Sequence, residues 1–315
     1  MNKTKMMKLK EKYLERIKLM LGDETDLYLK YLEKPPLPSV RTNTLKISVN
    51  ELKQRLENKW KIKQLPLFPE AMTIKSELGP GELGKAIEHQ LGYYYAQELA
   101  SMMPPIALEP KGHELVLDLC AAPGSKTTEM AMMMNNQGTI MANDVKIDRL
   151  KALSVNLERC GVTNTIITRM NGIVLCQKLA KAGFLFDKIL VDASCSGEGT
   201  FRSDPDAAEM WNFNMIKKYA SMQKKLVSDS LSCLKPNGIM VYSTCTHAPE
   251  ENEEIVQFAV DKFNVKIEPL RLPLKTRNGL SEWQGHKFSQ EIKNCARIWP
   301  QDNDTEGFFI ARMRK

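Results

Sequence analysis

Two hydrophobic rhythms divide the chain. Over residues 1–105 the apolar positions change period several times. Leu9, Tyr13, Ile17 and Met20 recur at helical spacing inside a charged run, which predicts a terminal amphipathic helix. EKPPLP breaks the chain at Pro35 and Pro36, and SVRTNTLKI after it predicts a strand. SVNELKQRLENK predicts a second amphipathic helix, opened by a capping box of Ser48 and Glu51. KIKQL and AMTIK predict short strands, LGPGELG a turn, and YYYAQELASMM a helix ended by Pro104 and Pro105.

From Leu115 the pattern becomes strand and helix in alternation. ELVLDLC, GTIMAND, TIITRM, FDKILVDAS, NGIMVYSTC, NVKIEPL and GFFIARM predict strands, several of them continuous apolar runs suited to a parallel sheet buried on both faces. GSKTTEMAMMM, KIDRLKALSVNLERCG, MIKKYASMQKKLVSDSLSCL and ENEEIVQFAVDKF predict the helices between them. The expected fold is a doubly wound α/β sheet over residues 106–315, with a smaller α+β domain over residues 1–105. In such sheets ligands bind beyond the carboxyl ends of the strands. Cys120, Asp144, Asp192 and Cys245 all fall at those ends.

The first strand runs into LDLCAAPGSKTTE, a small-residue turn before a helix. Gly124 permits close backbone approach, and a helix N-terminus favours anionic groups. The spacing matches neither G-x-G-x-x-G nor a P-loop, whose first glycine would fall on Leu119. Asp144, closing the second strand, can accept both hydroxyls of a ribose. An adenosine-bearing ligand without a pyrophosphate, such as S-adenosylmethionine, fits this pair; a plain tight turn beside an exposed aspartate fits it as well. Asp192 and Cys195 follow the fourth strand and Cys245 the fifth, so neighbouring strand ends bring two thiols and a carboxylate towards one cleft. Lys126 is a cation that could favour a thiolate there. A soft nucleophile, a second thiol and a carboxylate suit methylation at carbon 5 of cytosine, where addition of a thiolate to carbon 6 activates the ring.

Composition narrows the setting. The formal net charge is +7, and residues 1–105 hold 18 basic against 13 acidic side chains, most of the excess in the first twenty residues. Nucleic acid is a plausible partner for that charge, though charge alone favours the reading of a solvated, frayed basic helix. Seven cysteines without a C-x-x-C pair argue against a disulfide framework or a zinc site, and for a reducing cytoplasm. No apolar run approaches a membrane span and no signal peptide is visible.

RTNTLK (41–46), QELASMMP (97–104), LDLCAAPGSKTT (117–128), DASCSGEGT (192–200), YSTCTHAPEENE (242–253), RIWP (297–300) and GFFIA (307–311) together resemble the Nol/Nop/Sun family of RNA:cytosine-5 methyltransferases. The resemblance implies a Rossmann-like catalytic domain, an N-terminal RNA-recognition-like module, and S-adenosylmethionine as cofactor. It implies Cys245 as the nucleophile, Cys195 as an aid to product release, Asp192 as the holder of the cytosine, and Lys126 beside both substrate and cofactor. Cys120, Ala121, Ala122, Pro123, Gly124, Ser125 and Lys126 would line the cofactor together with Asp192. Asp144 would take its ribose and Arg149 would lie nearby. Asn171 stands where the family usually places an aspartate on the adenine. Ser194 replaces a usual proline, which implies a more mobile Cys195 loop. Glu250 and Glu251 are expected in the first turn of the helix after Cys245, favoured there by the helix dipole. Trp283 and His286 read as surface-loop residues, and Arg297 is left between that and RNA contact. The expected substrate is RNA, transfer RNA ahead of ribosomal RNA, acted on by a cytoplasmic monomer without metal. The alternatives are a ribosomal RNA methyltransferase and a non-catalytic RNA-binding or assembly protein of the same fold.

Overall fold

A computed structural model describes residues 9–315; Lys3, Lys5 and Lys8 of the basic terminus lie outside the described residues. Strands β1 (Ser39–Thr42), β2 (Ile62–Leu65), β3 (Phe68–Ile74) and β4 (Tyr94–Ala96) form an antiparallel sheet in the order β2-β3-β1-β4. The helix Val49–Glu57 packs on it through Leu52 and Leu56, and Ser48 caps that helix by accepting from the Glu51 backbone N–H at 3.2 Å. The terminal helices Glu11–Leu21 and Thr25–Leu32 do not join this small core. Tyr13, Ile17, Tyr28 and Leu32 pack instead with Phe201, Trp211, Ile216 and Trp299 of the larger sheet's side of the molecule.

The larger sheet begins with β5 (Leu115–Asp118), β6 (Thr139–Asn143), β7 (Thr165–Thr168), β8 (Phe186–Asp192) and β9 (Leu234–Thr244). These five are parallel, in the order β9-β8-β5-β6-β7. Next come β10 (Lys266–Glu268), β11 (Arg277–Asn278), the hairpin β12 (Glu282–Trp283) and β13 (His286–Lys287), β14 (Ala296–Ile298) and β15 (Phe308–Arg314). β15 runs antiparallel beside β9 and extends the sheet through β14 to β11. Alternate residues of the inner strands feed cores on opposite faces. Leu117, Ile189, Val191, Met240 and Tyr242 meet the helices Gly172–Lys181, Phe213–Ser232 and Glu253–Phe263. Val116, Leu190, Ile239 and Val241 meet the helices Met103–Leu108 and Ser125–Met133. Strand order reverses between β5 and β8, and a crevice opens at that switch point.

Three sequence expectations change. YYYAQELASMM is not a helix: Tyr94–Ala96 is an edge strand, Ala100–Met102 a 3-10 turn, and Pro104 and Pro105 open the helix Met103–Leu108 rather than ending one. Proline is tolerated in a first turn, whose N–H groups lack intrahelical acceptors, and aromatic residues favour strands. Glu250 and Glu251 lie in a 3-10 turn, Pro249–Glu251, and the following helix begins at Glu253. Trp283 is buried in its hairpin, donating Nε1 to Glu250 Oε1 at 3.1 Å.

Candidate active site

The turn after β5 is shaped by Gly124, whose φ of 109° is open to glycine alone at little cost. A side chain there would also meet Leu153 Cδ1 at 2.9 Å, so the helix Ile147–Cys160 packs directly on the turn. Asp118, at the end of β5, accepts from Thr127 Oγ1 at 2.6 Å and ties the new helix back to the strand. Burial raises the Asp118 carboxyl to about 7. Asp144, just past β6, is buried; its Oδ1 accepts from the Lys146 N–H at 3.0 Å and its Oδ2 pairs with Arg149 at 3.1 Å. Arg149 also donates to the Ala122 carbonyl, bridging the first turn to the second strand. Asn171 caps the helix Gly172–Lys181, its Oδ1 accepting from Ile173 and Val174 N–H groups at 3.1 and 3.4 Å.

On the other side of the switch point, Asp192 ends β8. Its Oδ1 accepts from Ser243 Oγ at 2.8 Å and its Oδ2 meets Lys126 Nζ at 2.8 Å. Lys126 also donates to Ser101 Oγ at 2.9 Å. Burial alone would lower the pKa of this ammonium, but the charge and hydrogen bond of Asp192 outweigh burial and leave it raised. Cys195 and Cys245 arrive from adjacent strand ends, with their sulfurs 3.3 Å apart and neither in a disulfide. The Cys195 thiol is held protonated, first by its hydrogen bond to Cys245, then by burial and the charges of Cys245 and Glu251. Cys120 is also pushed up, by burial and then by Asp192, Asp118 and Asp144, so it stays a neutral thiol. Gly199 lets three backbones meet behind the thiols: its N–H donates to the Cys245 carbonyl at 2.9 Å, and any Cβ would lie 2.3 Å from the Gly307 carbonyl.

A cleft of about 530 Å³ opens over this group. Lys126, Asp192 and Cys245 form its floor, Phe308 and residues Pro35 to Pro38 an apolar wall, and Glu98 and Glu306 a polar corner. Thus Lys126, Asp192, Cys195 and Cys245 form one cluster, while Arg149 joins the Ala122 turn to Asp144 at the neighbouring strand ends. Among the described residues no group of three or more His, Cys, Asp or Glu could hold a metal ion, and no helix is long and apolar enough to cross a membrane.

Several supporting residues escaped sequence reasoning. Arg41 is buried and reaches from β1 to the helix that carries Lys126, donating to Thr128 Oγ1 at 2.9 Å and pairing with Glu129 at 3.6 Å. Its Nε also donates to Gln97 Oε1 at 2.9 Å, and Gln97 donates to the carbonyl of Ser101, whose hydroxyl receives Lys126. RTN and QELAS were visible as motifs, but nothing in one dimension says that they meet. The Cys195 loop is tied down rather than loose, because Gln223 Nε2 donates to the Ser194 carbonyl at 2.9 Å and Glu251 accepts from the Ser196 N–H.

Residues 105–314 match a family model described as 16S rRNA methyltransferase RsmB/F, and residues 9–99 match the N-terminal domain of 16S rRNA methyltransferase RsmF. The chain is 42% identical over 315 residues to a tRNA (cytosine(49)-C(5))-methyltransferase of Pyrococcus abyssi, covering 99% of this chain and 98% of the relative. It is 38% identical over 310 residues to a ribosomal RNA small subunit methyltransferase F of Vibrio atlanticus, covering 97% of this chain but only 63% of that protein. Among solved structures, a methyltransferase homolog from Pyrococcus horikoshii superposes with a TM-score of 0.87 at 37% identity, over 98% of this chain and 96% of the other. NSun6 from the same organism, solved with SFG, gives 0.83 at 26% identity over 99% of each chain.

Proposed function

The chain belongs to the 16S rRNA methyltransferase RsmB/F family, and from that premise we propose that it methylates carbon 5 of a cytosine in structured RNA, transfer RNA in the first place. One observation carries the chemistry: two free thiols in contact at 3.3 Å, one of which, Cys245, shares the floor of a cleft large enough for a base with the Lys126–Asp192 pair. S-adenosylmethionine, whose analogue SFG accompanies the NSun6 relative, supplies an electrophilic methyl group when bound. The residues present suit it. Gly124 keeps the turn open for close approach, the helix beginning at Ser125 presents unpaired N–H groups to a carboxylate, and Asp144 offers acceptors for two ribose hydroxyls. Cys120 to Lys126 would line the methionine side with Arg149 steadying Asp144. Asn171 keeps only its amide nitrogen for an adenine acceptor, since its oxygen caps a helix.

The target base must leave its stack to enter the cleft. Asp192, already oriented by Ser243 and Lys126, accepts from the exocyclic amine. The Cys245 thiolate adds to carbon 6, the ring pair moves to carbon 5, and carbon 5 takes the methyl group. Lys126 remains a cation throughout and offsets negative charge gathering on the ring. Loss of the carbon 5 proton then restores the double bond as the carbon–sulfur bond breaks.

Cys195→Ala is expected to accumulate a denaturation-resistant protein–RNA adduct that disappears when Cys245 is also replaced; gel electrophoresis under denaturing conditions reads it directly. A non-catalytic assembly role predicts no adduct with any RNA. Asp144→Ala is expected to weaken S-adenosylmethionine binding about 10- to 100-fold by calorimetry, the loss of one or two charge-assisted hydrogen bonds. Transfer RNA is favoured over ribosomal RNA because the transfer RNA relative matches along its whole length, whereas the chain spans 63% of the ribosomal one. Bisulfite sequencing of RNA from cells with and without the gene decides between them. A site that loses protection in ribosomal RNA alone would overturn the transfer RNA assignment.

A further inference from the structure

The geometry points to Glu251 as a positioning residue for product release: together with Gln223 it holds Cys195 against Cys245, and breakdown of the covalent RNA intermediate depends on that hold. This role rests on the covalent reaction proposed above and belongs to a residue that does not line the base cleft.

Glu251 is fully buried at the end of its 3-10 turn. Both carboxyl oxygens face the Ser196 backbone N–H, at 3.1 and 3.3 Å. Gln223, fully buried on the helix Phe213–Ser232, donates Nε2 to Glu251 Oε2 at 2.9 Å and to the Ser194 carbonyl at 2.9 Å. The residues immediately before and after Cys195 are therefore both tied to one Glu251–Gln223 unit. A further bond, Ser196 Oγ to Thr246 Oγ1 at 2.7 Å, joins the two thiol-bearing loops one residue beyond each sulfur. The unit is itself anchored, since the Glu251 carbonyl accepts from Tyr242 Oη at 2.6 Å, out of β9.

Burying a carboxyl is costly, and burial raises this one to about 8. A neutral acceptor would have satisfied the Ser196 N–H as well. What the carboxyl adds is two acceptors on a planar, short side chain, which meet the Ser196 N–H and Gln223 Nε2 together, while the Cys195 thiol is kept protonated first by its hydrogen bond to Cys245 and then by burial. That protonated thiol, 3.3 Å from the Cys245 sulfur, is a donor to the sulfur that must leave. In the release step the carbon 5 proton passes to solvent water, and its bonding pair forms the carbon 5–carbon 6 double bond. The carbon 6–sulfur pair returns to Cys245, where the Cys195 S–H meets it. A thiol swung away by an ångström would leave methyl transfer largely intact and release slow.

The test compares Glu251→Ala, Glu251→Gln and Gln223→Leu with the unaltered protein. Without RNA, iodoacetamide labelling followed by mass spectrometry is expected to modify Cys195 about 5-fold faster in Glu251→Ala and Gln223→Leu. With transfer RNA and S-adenosylmethionine, their single-turnover methylation stays within about 3-fold, while multiple turnover falls roughly 10-fold or more and the trapped adduct rises. Glu251→Gln, which keeps one acceptor for Ser196, restores most of the turnover. Unchanged Cys195 labelling in both variants, or slow turnover with no adduct, overturns the role. Cys195→Ala serves as the control: if it traps no adduct the covalent reading fails, and the labelling result still decides whether Glu251 holds the loop.

Discussion

Replacing Cys245 by alanine should abolish methyl transfer, by on the order of 10^3-fold or more, while leaving S-adenosylmethionine binding within about 2-fold. The expectation follows from position. Cys245 follows the last residue of β9, at a cleft floor that it shares with Asp192 and Lys126. The residues suited to the cofactor lie across the switch point, after β5 and β6. Removing the sulfur leaves that crevice untouched but returns carbon 5 of cytosine to its intrinsic low nucleophilicity. The two thiols also have distinguishable failures. Loss of the nucleophile gives neither product nor adduct, and loss of Cys195 gives adduct without turnover. Methyl transfer from a radiolabelled donor, quantified beside the denaturing gel, separates them. If Cys245→Ala still methylates, or if Cys195→Ala proves the variant that cannot form an adduct, the assignment of the two sulfurs is reversed or wrong.

The catalytic sheet was legible because its signals are local. Continuous apolar runs such as VLDL and KILVD state a buried parallel strand on their own, and the residues following them fall at the carboxyl ends wherever the helices pack. Cys120, Asp144, Asp192 and Cys245 therefore fall at one edge of the sheet on the sequence pattern alone. Several of the failures are cases in which a distant partner decides the conformation. Tyr94 to Ala96 pair with β1, more than fifty residues earlier, and that pairing overrides the helical look of the run. Arg41 looks like any strand cation until Gln97 and Glu129 close around it. Glu250 and Glu251 looked like dipole-favoured acids of one turn, yet they face different partners. Glu250 makes a bidentate pair with Arg16 of the terminal helix, and Glu251 turns inward to the Cys195 loop. The terminal helix thereby commits Arg16 to the fold, leaving less of its positive charge for RNA than the composition suggested.

Arg297 carries the largest expected effect on stability. The sequence left it between a surface loop and an RNA contact. In the structure it lies on β14, a short strand not foreseen, and is buried against Glu253, which is also buried. Arg297 Nε donates to Glu253 Oε1 at 2.6 Å, Nη2 donates to Oε2, and Nη1 donates to the His247 carbonyl at 3.0 Å. The His247 ring stacks on Trp299 with centroids 4.0 Å apart, so this arginine fixes the segment two residues beyond Cys245 from beneath. Arg297→Ala removes one half of a desolvated bidentate pair and strands the Glu253 carboxylate with only the Leu280 N–H at 2.9 Å. Breaking such a pair costs about 3–5 kcal/mol, far more than the pair contributes relative to an apolar replacement of both partners. The melting temperature should fall by roughly 6 °C or more, measured by calorimetry. Replacing both residues, as in Arg297→Leu with Glu253→Leu, should recover much of that loss, because no buried charge is left alone. An unchanged melting temperature in Arg297→Ala, together with weakened RNA binding, would move this arginine from the foundation of the active site to its surface.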